Sequence, residues 1–236
     1  MLFRSKIHRI FVNTDINVGE TFIADKNLTT RIHKVLRIKS NEKIILFNGN
    51  GKDYICAIDD RESKRIQVEK SIKGLENDAV NTLGLSISSG KIMDYAIQKS
   101  VELGIKKIVP IITERSHPTD INKRYLHWKK IILSACEQCG SSTIPEIEKA
   151  ATLSEIAKYT ESSSEIKICF DPRGEKLNMN EVNIKQYIFL IGPEGGFSDN
   201  DITMLKKYNW RIISLGDRIL RTETACVVAQ TLMRKW

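Results

Sequence analysis

From about residue 80 onward, short apolar runs alternate with amphipathic stretches, and this rhythm admits few architectures. Residues 82–88, 107–112, 166–170, 187–191 and 211–215 have the length and composition of buried strands. Residues 93–103, 122–139, 153–159, 200–207 and 222–235 carry helical spacing, the first ending at Gly104. Alternation of this kind predicts an α/β fold around a mostly parallel sheet. Ligands of such sheets bind beyond the carboxyl ends of the strands. Three glycine-bearing segments stand at such ends: DPRG at 171–174, IGPEGGFS at 191–198 and LGDRILRTETA at 215–225. Glycine leaves backbone N–H and C=O groups uncovered, which suits the holding of a small ligand.

The first seventy residues have a different grain. Residues 7–12 alternate as a strand does, and a helix is expected from Asp25, its N-cap, to Ile38, with Leu28, Ile32, Val35 and Leu36 on one face. Residues 43–47, the turn Asn48-Gly-Asn-Gly51 and residues 54–58 read as a hairpin, and residues 65–68 supply a further strand. Several short strands and one helix predict a small β-barrel over residues 1–72, followed across the polar stretch 73–78 by the α/β domain at 73–236. Residues 1–72 hold 14 Lys or Arg against 9 Asp or Glu, whereas the rest holds 23 against 20. Most of the +8 excess thus sits in the smaller module, as in a surface that meets a polyanion; a merely solvated surface accounts for it equally.

Several chemistries are disfavoured. Gly192, Gly195 and Gly196 do not follow the order of a dinucleotide fingerprint, and Pro193 lacks the N–H that a phosphate would use. Leu85 and Ile92 replace the residues that would make Ser89-Gly-Lys91 a phosphate loop. No hydrolase motif is visible. The five cysteines form no disulfide framework, and the lone C-x-x-C of Cys136 and Cys139 lacks two further ligands, so it reads as small residues on a packed helix face and no metal site is expected. Ser198 and Asp201 suit a helix start, which leaves the Pro-Glu-Gly-Gly ahead of them to be explained by a ligand.

The two longer loops resemble the signature loops of the RsmE family, the 16S rRNA uridine-N3 methyltransferases of the SPOUT superfamily. IQKSVELGI at 97–105, ERS at 114–116, and ACEQCG with IPEI between 135 and 147 resemble further family blocks in the same order. The resemblance implies a SPOUT domain with a deep trefoil knot behind a PUA-like barrel, a homodimer, and S-adenosylmethionine as cofactor. It places Leu190, Gly192, Pro193, Glu194 and Gly195 on one side of the cofactor and Leu215, Gly216, Ile219, Leu220 and Arg221 on the other, with Phe170 and Asp171 at the preceding strand end. The chain departs from the family at Ile92 and Ser141, where basic residues are frequent; both departures touch RNA docking.

The resemblance implies methylation of uracil N3 in 16S rRNA or the small subunit. That reaction must lose the N3 proton, so Arg221 is a candidate for stabilising negative charge on the base, and Glu223 or Glu194 for accepting the proton or orienting Arg221. Arg221 and Glu223 equally suit a helix-start ion pair. Arg4, Lys6, Arg9, Arg31, Lys34 and Arg37 are the candidate RNA contacts, each equally able to be solvated surface. The rivals are a ribose 2′-O-methyltransferase and a catalytically silent RNA-binding protein on the same scaffold. The charged N-terminus and the lack of an apolar stretch of ~18 residues predict a cytoplasmic protein without a membrane span.

Overall fold

The computed structural model describes residues 7–39, 42–58, 64–75, 80–117, 120–160, 165–177 and 186–233. The chain divides into two compact units, residues 1–76 with 136–144, and residues 77–135 with 145–236. That the short segment 136–144 belongs with the first unit has no signal in the sequence pattern.

The first unit is a five-stranded sheet in the order β1-β3-β4-β5-β2, from β1 (His8–Phe11), β2 (Thr21–Ile23), β3 (Lys43–Phe47), β4 (Lys52–Ile58) and β5 (Arg65–Lys73). β1 runs parallel to β3 and the other pairs are antiparallel. Strand β2 was not anticipated. Asp25 caps α1 (Lys26–Thr30) by accepting the Leu28 N–H at 2.7 Å, as its side chain predicts. The helix expected to reach Ile38 instead passes into a π turn, Arg31–Val35, and Arg37 then adopts φ 53°. Ile32 and Leu28 still enter the core, while Val35 is left 68% exposed.

Arg9 lies inside this unit. Its guanidinium meets Asp53 at 2.5 Å, reaches the Ser141 carbonyl at 3.1 Å and lies 4.8 Å over the Phe47 ring. Asp53 also accepts from the Ser142 hydroxyl. The expectation that Arg9 contacts RNA is therefore corrected: its side chain is only 7% exposed and its charge is answered internally. Glu137 takes both ends of the Arg31 guanidinium and the Phe11 N–H. The E-Q-C-G block thus supplies the polar partners of β1 and of the π turn. Cys136 is buried, and burial pushes its thiol up to about 12, so it stays protonated.

The second unit carries a sheet in which every neighbouring pair is parallel. It comprises β6 (Val80–Ser86), β7 (Lys107–Ile112), β8 (Glu146–Ile147), β9 (Ala151–Thr152), β10 (Ile166–Lys176), β11 (Gln186–Ile191) and β12 (Arg211–Ser214). Their order is β12-β10-β11-β6-β7-β8, with β9 also on β7. Among the described residues five helices accompany it: α2 (Gly90–Glu102), α3 (Ile121–Cys139), whose last four residues fall in the first unit, α4 (Leu153–Tyr159), α5 (Asp199–Lys207) and α6 (Thr222–Met233). Ile188 and Leu190 of β11 face a core that includes Ile156, Ile202, Leu205 and Trp210. The alternate residue Tyr187 points the other way, its hydroxyl bonded to the Met233 carbonyl of α6 and to Asn81. α2 and α6 meet through small polar groups: Gln230 donates to Ser100 Oγ at 2.8 Å, and Ser100 lies 3.2 Å from Cys226 Sγ. Among the described residues no helix is long and apolar enough to cross a membrane.

Asp53→Ala would strand a buried guanidinium, so it is expected to cost ~3–5 kcal/mol in denaturant unfolding, whereas the double replacement Arg9→Met, Asp53→Leu should cost much less.

Candidate active site

Two strands of the sheet, β11 and β12, end on one cavity of about 530 Å³, and the bulge of β10 meets it beside them. β10 brings Phe170 and Asp171, β11 brings Ile191 and the Gly192–Phe197 loop, and β12 brings Ser214 and the loop through Glu223. The two glycine loops, distant in sequence, are its facing walls. Thr222 Oγ1 donates to the Gly192 carbonyl at 3.1 Å and fastens one to the other.

Each loop is shaped by its neighbours. A Cβ on Gly192 would stand 3.1 Å from the Phe197 ring, so glycine lets the turn close upon it. Gly216, at φ 127°, occupies backbone space that other residues avoid. Ser198 and Asp201 form a capping box that starts α5 immediately after the loop, as their spacing predicts. The Glu194 carboxylate accepts the Ser89 N–H at 2.9 Å, and Arg115 donates to the Gly195 carbonyl at 2.9 Å. Arg115 sits in a turn that Ser116 ties to Thr113. The P-E-G-G segment is thereby held from the ends of β6 and β7.

The DPRG segment is a bulge in β10: Phe170 and Glu175 both face Ile213, and the four residues between them loop out. Gly174 is required there, since a Cβ would lie 2.5 Å from the Ile212–Ile213 backbone. Asp171 is almost wholly buried. Burial works against its charge, but the Arg173 side chain and N–H outweigh it and hold the carboxyl below its usual range. Arg173 also reaches Asp199 at 2.7 Å and the Phe197 carbonyl at 2.9 Å. Glu194 is lowered as well: partial burial opposes its charge, and the N–H groups of Ser89 and Glu194 together with the Ser88 and Ser89 hydroxyls outweigh it.

Of the expected cofactor residues, Phe170, Asp171, Gly192, Pro193, Glu194, Gly195, Leu215, Gly216, Ile219, Leu220 and Arg221 line the cavity. Leu190 does not. It lies in the core against β6, its Cδ2 2.2 Å from where a Cβ on Gly84 would be, and Ile191 is the wall residue instead. Glu223 lines the cavity too, and its Oε2 is buried without a hydrogen-bond partner. Glu194, exposed and engaged by Ser89, is better placed to hold the loop than to receive a proton. Arg115, Arg173 and Thr222 were not anticipated; only the position of ERS and DPRG at strand ends hinted at the first two. Lys34 and Arg37 are exposed, Arg31 shares its guanidinium with Glu137, and Arg4 and Lys6 lie outside the described residues. Among the described residues no group of three metal-ligating side chains converges.

The model of an RNA methyltransferase domain matches residues 76–234, and that of an RNA methyltransferase PUA domain matches residues 32–71. The ribosomal RNA small subunit methyltransferase E of Buchnera aphidicola (subsp. Schizaphis graminum) is 35% identical over 98% of this chain and 97% of its own. The chain belongs to that family. Its Mesomycoplasma hyopneumoniae member is 31% identical over 95% of this chain and 98% of its own. The Neisseria gonorrhoeae member, solved with S-adenosyl methionine bound, matches with TM-score 0.88 and 33% identity over 96% of both chains. A Legionella pneumophila protein solved with SAM bound matches with TM-score 0.88 and 30% identity over 97% of both. The E family therefore accounts for both units, a PUA domain and an RNA methyltransferase domain.

The folded Asp171 carboxyl titrates below its unfolded value of ~3.9, so its contribution is complete above about pH 4 and drains as pH falls through the folded value. Arg173→Met leaves burial alone, which pushes the carboxyl up; acid unfolding followed by circular dichroism should then begin at a higher pH.

Proposed function

We propose that this chain transfers the methyl group of S-adenosylmethionine to N3 of a uridine in 16S rRNA. The observation that carries this is the meeting of the two glycine loops as walls of one cavity at the carboxyl ends of β11 and β12, beside the bulge of β10. Its size is that of small-molecule sites in general. Phe170, Ile191, Pro193, Ile219 and Leu220 offer apolar surface for a purine, and carboxylates and arginines at the rim suit an amino-acid moiety. Gly196 and Gly216 have no atom within 4 Å of where a Cβ would project, so glycine keeps that space open. The residues present fit the cofactor.

When bound, S-adenosylmethionine supplies an electrophilic methyl group on a positively charged sulfur. The chain must hold the base against it, exclude water and manage the N3 proton. Arg221, exposed at the rim of the cavity, stabilises negative charge as it develops on the uracil carbonyls. Ile219, 87% exposed at the same rim, is an apolar side chain free to cover a bound ligand. RNA is gripped by Lys34 and Arg37, both exposed, at and just beyond the π turn.

The finer features that the family implies are proposals as well. β11 lies between β10 and β6, and the 215–221 segment meets the loop after β11; both accord with a trefoil knot. The five-stranded sheet accords with a closed PUA-like barrel. We infer a cytoplasmic homodimer, whose molar mass light scattering would report as twice the 26.9 kDa of one chain.

The direct test is methyl transfer to small-subunit RNA or particles from a strain lacking this activity, with the product mapped by mass spectrometry. Methyl on uracil N3 is expected; methyl on a ribose oxygen, or none, rejects the proposal. Arg221→Ala should bind the cofactor in calorimetry yet lose ~10²–10³ in kcat. Lys34→Ala and Arg37→Ala should each flatten the salt dependence of RNA binding by ~0.7–0.9 in slope; unchanged slopes would remove them from the interface.

A further inference from the structure

A second recess adjoins the cavity. It is a groove of about 500 Å³ between α2 and α6, lined by Lys91, Ile92, Tyr95, Glu223, Thr224 and Val227. Ile92 and Glu223 line both spaces and so form their common wall. We propose that this groove seats the uracil to be methylated, with Tyr95 as its stacking platform and Glu223 as its proton acceptor. The proposal rests on the functional reading above.

Three observations support it. First, the groove has the walls a flat base needs. Lys91 and Tyr95 are one helical turn apart on α2, as Glu223 and Val227 are on α6, so each pair presents one face. Tyr95 is 47% exposed, and Lys99 lies 5.4 Å from its ring centroid. A half-exposed aromatic ring beside an apolar wall of Ile92 and Val227 is the surface on which unstacked bases settle.

Second, Glu223 Oε2 is buried with no donor, a costly state for a carboxylate oxygen unless a ligand supplies the hydrogen. The other two carboxylates of the cavity are engaged: Asp171 by Arg173, and Glu194 by the Ser89 N–H. Glu223 is thus the acceptor left for an incoming N–H.

Third, the groove carries the polar groups that a uracil edge needs. The edge of uracil presents a carbonyl, the N3–H and a second carbonyl. Its complement is donor, acceptor, donor, which the Lys91 ammonium, the Glu223 carboxylate and the Thr224 hydroxyl provide. Cytosine and adenine carry no hydrogen at the corresponding ring nitrogen, and guanine puts an amino group where uracil has its second carbonyl. Enzymes that act on a single base take it out of the stack and read this edge. In the proton step the N3–H bond breaks, an O–H bond forms on Glu223, and the electron pair stays on N3, ready to take the methyl group. Lys91 also adds positive charge beside Ile92.

The test uses the full chain, 16S rRNA transcribed with 5-iodouridine, and S-adenosylhomocysteine in place of the methyl donor. Irradiation should link the RNA to the peptide carrying Tyr95; links formed elsewhere but absent from α2 and α6 would overturn the assignment. In methylation kinetics Tyr95→Ala should lose ~10–100-fold in kcat/KM for RNA, with calorimetric cofactor affinity retained and Tyr95→Phe near the parent. Glu223→Gln should lose ~10²–10⁴ in single-turnover rate, its residual rate should climb with pH, and Glu223→Asp should recover part of the loss. Cofactor binding and uridine-N3 methylation that both persist, with Tyr95→Ala and Glu223→Gln at parental rates, would sink the groove alone. Absence of cofactor binding or of N3 methylation in the parent would instead sink the functional reading beneath it.

Discussion

One hydroxyl joins the halves of the site. Thr222, the first residue of α6, donates to the Gly192 carbonyl at the end of β11 and so fastens the loop after β12 against the loop after β11. The rest of the cavity depends on this closure. The Arg173 guanidinium draws the β10 bulge to the Phe197 carbonyl, and Ser89 and Arg115 hold Glu194 and Gly195 from the other flank. The pocket is a set of backbone segments fixed by Thr222 and Glu194, which line it, and by Arg115 and Arg173, which do not. Loop glycines then serve a geometric end: Gly192 lets the turn close on the Phe197 ring, and Gly196 and Gly216 take positive-φ conformations that other residues avoid.

The division of labour among carboxylates follows from the same fastening. Asp171, Glu194 and Glu223 all reach one cavity, yet only the first two are answered from within the chain. Local hydrogen bonding thereby distinguishes two anions that hold the loops from a third whose Oε2 has no donor among the described residues.

The architecture of the second unit was legible because a parallel sheet writes itself as long apolar runs separated by helices. The two loops were legible because only glycine suits their turns. Less could be read where local pattern and tertiary context part company. The helix expected through Ile38 turns π at Arg31, where Glu137, far along the chain, claims that side chain. The family resemblance places Leu190 in the site, but it packs in the core against β6, and Ile191 is the wall residue instead. Arg9 looked like one more surface cation; its counter-ion Asp53 is 44 residues away and its carbonyl partner 132. Contacts at such range leave no trace in periodicity.

The partnership of residues 136–144 with the first unit also bears on how the chain is made. Glu137, Ser141 and Ser142 satisfy Arg31, the Phe11 N–H, Arg9 and Asp53, all of which emerge from the ribosome much earlier. Arg9 and Asp53 can pair with each other early, but Arg31 and the Phe11 N–H lack Glu137, and Asp53 lacks the Ser142 hydroxyl, until residues 136–144 are made. The N-terminal module is therefore completed only late in translation. It is a discontinuous module, completed from within its neighbour's sequence. Exchange between genes at the apparent boundary near residue 76 would carry away half of a buried network, which binds the inheritance of the two units together.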